Sequence, residues 1–113
     1  MHELSIAQSI LDIAVQEMEK AHASSISELE LEIGQLAGIE FESLKFAFMA
    51  VTKNTPLEHA KLVIQIPEGQ AFCMDCNISF LCDSFITQCP KCKGYRNNIT
   101  QGTELRVKSI LID

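Results

Sequence analysis

The chain has 113 residues, 47% of them hydrophobic and 21% charged, with a formal net charge of −6 and five cysteines. That length supports one compact unit, or a small domain carrying a smaller metal module. The acidic balance is repelled by phosphate backbones and anionic membrane surfaces, so neither nucleic acid nor membrane is expected as a partner.

Behind Met1-His2-Glu3, the residues Leu4, Ala7, Ile10, Leu11, Ala14, Val15 and Met18 recur at helical spacing, with polar residues opposite, which predicts a helix over 4–21. This start lacks the basic and apolar regions of a signal peptide, and no apolar run approaches a membrane span, so a cytoplasmic protein is expected. Glu28-Leu29-Glu30-Leu31-Glu32-Ile33 alternates strictly and predicts a strand with one buried and one acidic face. Gly34 ends it, and residues 35–39 read as a loop. A second helix is expected over 42–53, with Phe41, Leu44, Phe48 and Val51 on its apolar side and Phe46, Ala47 and Met49 widening the stripe. Asn54-Thr55-Pro56 stops it, and Lys61–Pro67, rich in β-branched residues, predicts a second strand. Residues 94–102 read as a polar connection. Residues 103–112 predict a final strand that returns to the first domain, where Arg106 and Lys108 can face the acidic side of the first strand.

Between these strands lies Cys73-Met74-Asp75-Cys76, then twelve residues, then Cys89-Pro90-Lys91-Cys92. Two Cys-x-x-Cys pairs at this distance converge four sulfurs on one ion, a set that suits Zn²⁺ or iron. Pro90, Asn77 and Gly94 suit the tight turns around such an ion. Nothing marks the chain as secreted, which argues against disulfides, and a dithiol redox site needs only one pair. Cys82 alternates with Ile78 and Phe80 and reads as a half-buried strand thiol instead of a fifth ligand. Among the histidines, His22 reads as a helix-end residue and His59 has no ligand-spaced partner, but His2 stands beside the chain's amine. The Met1 amine, the His2 backbone nitrogen and the His2 imidazole form two fused chelate rings, and the Glu3 amide or a carboxylate completes a plane that suits Ni²⁺ or Cu²⁺.

Taken together, Met1-His2-Glu3-Leu4-Ser5, Leu31-Glu32-Ile33-Gly34, the paired Cys-x-x-Cys and Val107-Lys108-Ser109-Ile110 resemble the HypA/HybF family over essentially the whole chain. These are nickel metallochaperones of [NiFe]-hydrogenase maturation. The resemblance implies an α/β nickel-binding domain with transferable Ni(II), and a separate domain with structural Zn(II). It also implies delivery of nickel to the hydrogenase large-subunit precursor, in partnership with the GTPase HypB. It makes His2 the essential nickel ligand, helped by the Met1 amine and the Glu3 backbone nitrogen, and Cys73, Cys76, Cys89 and Cys92 the zinc ligands. Some members add an acidic ligand from the loop after the first strand, for which Glu40 is the nearest match here, one methylene longer than the usual Asp.

The expected fold is therefore α+β. Two helices pack on a small mixed three-stranded sheet (residues 1–70 and 101–113, the nickel-binding domain), with an inserted four-cysteine zinc-ribbon-like domain at residues 71–100. No Ser/His/Asp or Cys/His arrangement and no phosphate-binding loop is present, so a metallochaperone is expected and not an enzyme. Two other readings stand beside it: a zinc-ribbon adaptor without transferable metal, and a dithiol redox protein. The polar connections around the metal module are hinge-like and permit a swapped homodimer.

Overall fold

A computed structural model describes residues 2–112. Helix α1 (Glu3–Lys20) buries Glu3, Ala7, Ile10, Leu11, Ala14 and Met18 along one stripe. The stripe begins one residue earlier than periodicity suggests, because Leu4 is 60% exposed while Glu3 is only 8% exposed. Position 3 continues the i, i+4, i+7 row of Ala7 and Ile10, whereas Leu4 falls on its outer flank. The helix ends with His22 in the left-handed region (φ 57°) and the Ala23 N–H returned to Met18 O at 3.1 Å, so His22 serves the helix terminus.

Strand β1 (Ile26–Ile33) keeps the expected alternation, with Leu29, Leu31 and Ile33 buried and Glu28, Glu30 and Glu32 half-buried opposite. Helix α2 (Phe41–Thr52) packs on α1 and buries Leu44, Ala47, Phe48 and Thr52. Phe46 and Met49, expected to widen that stripe, are instead 75% and 71% exposed. At 100° per residue they lie roughly 140–200° around the helix from Leu44, on the far side from the core. Asn54, at φ 63°, turns the chain out of α2.

The chain folds as two compact units. The first comprises Met1–Leu31, Ile39–Ile64 and Arg106–Asp113, and the second Glu32–Gly38 and Gln65–Leu105. In the first sheet β1 is central between β2 (Lys61–Gln65) and β6 (Leu105–Ile112). Ser27 Oγ donates to Leu111 O at 3.1 Å and Ser109 Oγ to Glu30 Oε1 at 2.9 Å, so β1 and β6 run antiparallel. The Ile26 N–H donates to Pro56 O and the Gln35 N–H to Pro67 O, in the same sense along both segments. That fits β1 and β2 as a parallel pair joined through α2, and the sheet is mixed as expected.

The second sheet has the order β4-β3-β5, antiparallel throughout, from β3 (Gln70–Cys73), β4 (Ile78–Leu81) and β5 (Asn97–Gln101). Strand β5 corrects the reading of residues 94–102 as a plain connection. Its sequence, Asn97-Asn98-Ile99-Thr100-Gln101, holds one apolar residue, and pairing with β3 makes it a strand. A small core of Leu36, Ala71 and Cys82, flanked by Phe80 and Ile99, supports this sheet. Leu36 reaches it because residues 34–36 are strapped down: the Gly34 N–H to Glu104 O at 2.8 Å, the Leu36 N–H to Gly102 O at 2.7 Å, and the Gln35 side-chain oxygen to the Gly69 N–H at 2.8 Å. Backbones meet so closely here that a Cβ on Gly34 would collide with Gly102 O, and one on Gly69 with Cys82 O. Glycine is required at both positions by space, not by conformation.

Candidate metal centre

Both Cys-x-x-Cys segments fold as the same tight turn. After Cys73-Met-Asp-Cys76, Asn77 takes a left-handed conformation (φ 55°) and returns its N–H to Cys73 O at 2.9 Å. After Cys89-Pro-Lys-Cys92, Lys93 does the same (φ 64°), its N–H reaching Cys89 O at 2.9 Å. The residue that bears the strain in the second turn is thus Lys93 and not Gly94. Backbone N–H groups point at the sulfurs: Cys76 N–H to Cys73 Sγ at 3.3 Å, Lys91 N–H to Cys89 Sγ and Gly94 N–H to Cys92 Sγ, both at 3.4 Å. Such donors stabilise thiolates.

The four sulfurs lie within 4.8 Å of one another, with Cys73 and Cys92 Sγ 3.7 Å apart. Metal–sulfur bonds of about 2.3 Å in a tetrahedron separate the sulfurs by about 3.8 Å, so the Cys73–Cys92 pair stands at that spacing and the four sulfurs lie close enough to converge on one ion. All five cysteines are free thiols, and Cys82 lies in the small core, outside the quartet. The four thiols are not electrostatically equivalent. The Cys92 backbone N–H, and after it that of Lys91, hold Cys89 down at about 7 although its side chain is buried. Hydrogen bonding with the Cys92 sulfur, then burial and the Cys73 sulfur, push Cys76 up to about 12. Protons therefore leave the quartet in steps, and a cation that binds all four sulfurs must displace them.

Three supports for this site were not legible in the spacing. Asn97, opposite Cys73 on β5, donates from Nδ2 to Thr87 O at 2.7 Å and Gly94 O at 3.2 Å, tying the second turn to the sheet. Arg96 holds Asp75 of the first turn at 3.0 Å, and the Met74 N–H donates to Arg96 O at 2.9 Å. A polar residue in a polar run carries no sequence signal for such a role.

Of the residues expected to bind nickel, His2 and Glu3 stand at the start of α1 and Glu40 at the start of α2. His2 occupies the N-cap of α1 and accepts the first helical bond, Ile6 N–H to His2 O at 2.9 Å. Its side chain makes no capping bond and is exposed. Ser, Thr, Asp or Asn at that position would stabilise the helix by about 1 kcal/mol, so His2 is poorly explained by helix stability. The Glu3 nitrogen sits in the first turn, outside the i→i−4 ladder. Glu40 is the N-cap of α2, its Oε1 accepting the N–H groups of Glu42 at 2.9 Å and Ser43 at 3.2 Å. The Glu40 N–H in turn donates to Glu3 Oε2 at 3.4 Å. Residues 37 positions apart thus meet where α1 and α2 start. The Met1 amine lies outside the described residues. No helix among those residues is long and apolar enough to cross a membrane.

Known proteins resemble this chain over essentially its whole length. The family model described as hydrogenase/urease nickel incorporation, metallochaperone, hypA matches residues 1–112. The hydrogenase maturation factor HypA of Parabacteroides distasonis is 43% identical over 112 residues, 99% of this chain and 97% of that protein. The factor of the same name from Chlorobaculum parvum is 41% identical over the full length of both. The solution structure of the Ni metallochaperone HypA from Helicobacter pylori superposes with a TM-score of 0.69 at 25% identity, covering 99% of this chain and 97% of that one. With its four-cysteine metal-binding group in place, the chain belongs to the HypA family, the nickel metallochaperones of hydrogenase maturation.

Proposed function

We propose that this chain carries Ni(II) as cargo at its N-terminus and passes it to a hydrogenase large-subunit precursor, working with a HypB-type GTPase in the cytoplasm. The ligands are the Met1 amine, the backbone nitrogen and imidazole of His2, the Glu3 backbone nitrogen and the Glu40 carboxylate. The contact between the Glu40 N–H and the Glu3 carboxylate supports this reading most directly, because it draws the N-caps of both helices together. Two helix N-termini carry roughly half a positive charge each, which disfavours a cation there; the carboxylates of Glu3 and Glu40 offset it. The amine, from a typical pKa of about 7.7–8.0, and the backbone amides of His2 and Glu3 must each lose a proton to solvent, so nickel uptake is proton-linked. Nitrogen donors in a plane suit Ni²⁺, and an exposed site suits transfer by ligand exchange.

Cys73, Cys76, Cys89 and Cys92 hold structural Zn(II) in the second unit, separate from the nickel domain. Their donor set and spacing fit a closed tetrahedral site, in which zinc fixes the two turns against the sheet and leaves no open position. The test is nickel titration of untagged protein with metal analysis. One zinc and one nickel are expected in the wild type, nickel uptake lost with zinc retained in His2→Ala, and nickel weakened when residues are added before Met1. Equal nickel affinity in all three proteins would refute the proposal.

A further inference from the structure

Strand β2 lies at the border of its sheet. In the order β2-β1-β6 it has β1 on one side and, among the described residues, no strand on the other. The open side of such a strand presents backbone N–H and C=O groups that can pair with another strand. Between β2 and the C-terminal half of α2 runs a groove of about 510 Å³, walled by Phe48, Met49, Leu57 and Leu62. Met49 stands on this wall and is nevertheless 71% exposed. Lys45 and Lys53 flank the groove from α2, and exposed Lys61 opens β2 next to Ala60, which also lines it. Glu58 is the acidic residue of the lining and stands 4.0 Å from His59. Lys45 pairs with Glu42 at 3.4 Å, a link between exposed groups that is easily exchanged. Three lysines thus surround an apolar groove in a chain whose net charge is −6.

We propose that β2 and this groove receive an extended acidic segment of a partner protein, which adds to the sheet as a fourth strand. Main-chain hydrogen bonds along β2 supply the attachment, and side chains at every second position supply the selection. Leu62 lines the groove, so the incoming residues on its face lie over Leu62 and against Met49 and remove that apolar surface from water. The residues between them fall on the opposite face, the one that carries Lys61. Acidic groups there meet Lys61, and acidic groups at the ends of the apolar row meet Lys45 and Lys53. A segment that alternates apolar and acidic residues therefore fits both faces, whereas a basic one is repelled by all three lysines. Charge also selects against a second copy of β2, which reads Lys61-Leu-Val-Ile-Gln65 and holds no acidic residue. The inference does not depend on where nickel binds.

The test is fluorescence anisotropy of a labelled seven-residue peptide of alternating Glu and Leu, titrated with the full zinc-loaded chain. Saturable binding is expected, with a peptide of alternating Lys and Leu binding at least tenfold more weakly. Met49→Glu, on an exposed position, should lose binding with little change in melting temperature. Lys53→Glu and Lys61→Glu should each weaken it by about fivefold. Strand addition is read by methylating the peptide's backbone nitrogens in alternate sets. One set faces β2 and should abolish binding, while the other points to solvent and should leave it intact. Loss of binding with both sets, as a helical occupant would give, overturns the proposal. So does equal binding of the basic peptide, a Met49→Glu protein that binds as the wild type does, or no binding at about 1 mM, the weak end of specific recognition.

Discussion

Glu40 caps α2 and, in the proposed nickel site, also binds the metal; substitution separates the two roles. Its Oε1 accepts two backbone N–H groups of the first turn, at 2.9 and 3.2 Å, on an exposed helix end. Loss of an N-cap costs about 1 kcal/mol, and loss of a carboxylate beside the positive end of an exposed helix roughly another 0.5. Glu40→Ala should therefore destabilise the protein by about 1–1.5 kcal/mol, lowering the melting temperature of a chain this size by about 5 °C. Asn is a good N-cap without charge, so Glu40→Asn should recover most of the capping contribution. It supplies no carboxylate oxygen to nickel, so nickel affinity should stay low in both variants. The assay is thermal unfolding of zinc-loaded, nickel-free protein, paired with calorimetric nickel titration well below the melting temperature. A Glu40→Ala protein that melts with the wild type would show that the cap contributes nothing. A Glu40→Asn protein that binds nickel as tightly as the wild type would remove Glu40 from the ligand set.

Zinc affinity should rise with pH between about 6 and 9, because Cys76 still holds its proton at neutral pH while Cys89 ionises near 7. Calorimetry in buffers of different ionisation enthalpy should detect proton release on zinc binding, and an affinity insensitive to pH would contradict this. In metal-free protein the lowered Cys89 value contributes stability that is present above the usual thiol range and lost as pH falls through about 7. Gly34→Ala drives a Cβ into the Gly102 carbonyl and should cost about 3 kcal/mol, read as a lower denaturant midpoint of the zinc-loaded protein. An unchanged midpoint would mean that the strap is looser than its 2.8 Å and 2.7 Å bonds indicate. Asn97→Ala removes the Nδ2 bonds to the carbonyls of Thr87 and Gly94, of which Gly94 keeps the Cys89 N–H at 2.9 Å, and should cost about 1–2 kcal/mol. Zinc should then pass faster to a competing chelator, and an unaltered transfer rate would remove Asn97 from the support of the site.

What the sequence determined by itself was whatever depends on neighbours along the chain. The Cys-x-x-Cys spacing brings each pair of sulfurs onto one turn. The alternation of Glu28–Ile33 sorts two faces of a strand, and the periods of α1 and α2 locate both helices within one or two residues. The family resemblance, carried by short stretches spread over the whole length, added the cargo. Tertiary structure decided everything that needs two distant segments at once. Hydrophobic period marks a stripe but not what covers it, so Leu4, Phe46 and Met49 proved exposed and Glu3 buried. Strand β5 is polar and exists through its partner β3, and residues 34–36 belong with the cysteine sheet because the backbones of Pro67, Gly102 and Glu104 bind them there. Glu40 lies far from Glu3 in sequence, and only the packing of α1 on α2 brings the Glu40 N–H to the Glu3 carboxylate. The physical reason is the same in each case: local geometry is set by bonds between near neighbours, whereas burial and pairing are set by which surfaces meet when the chain closes on itself.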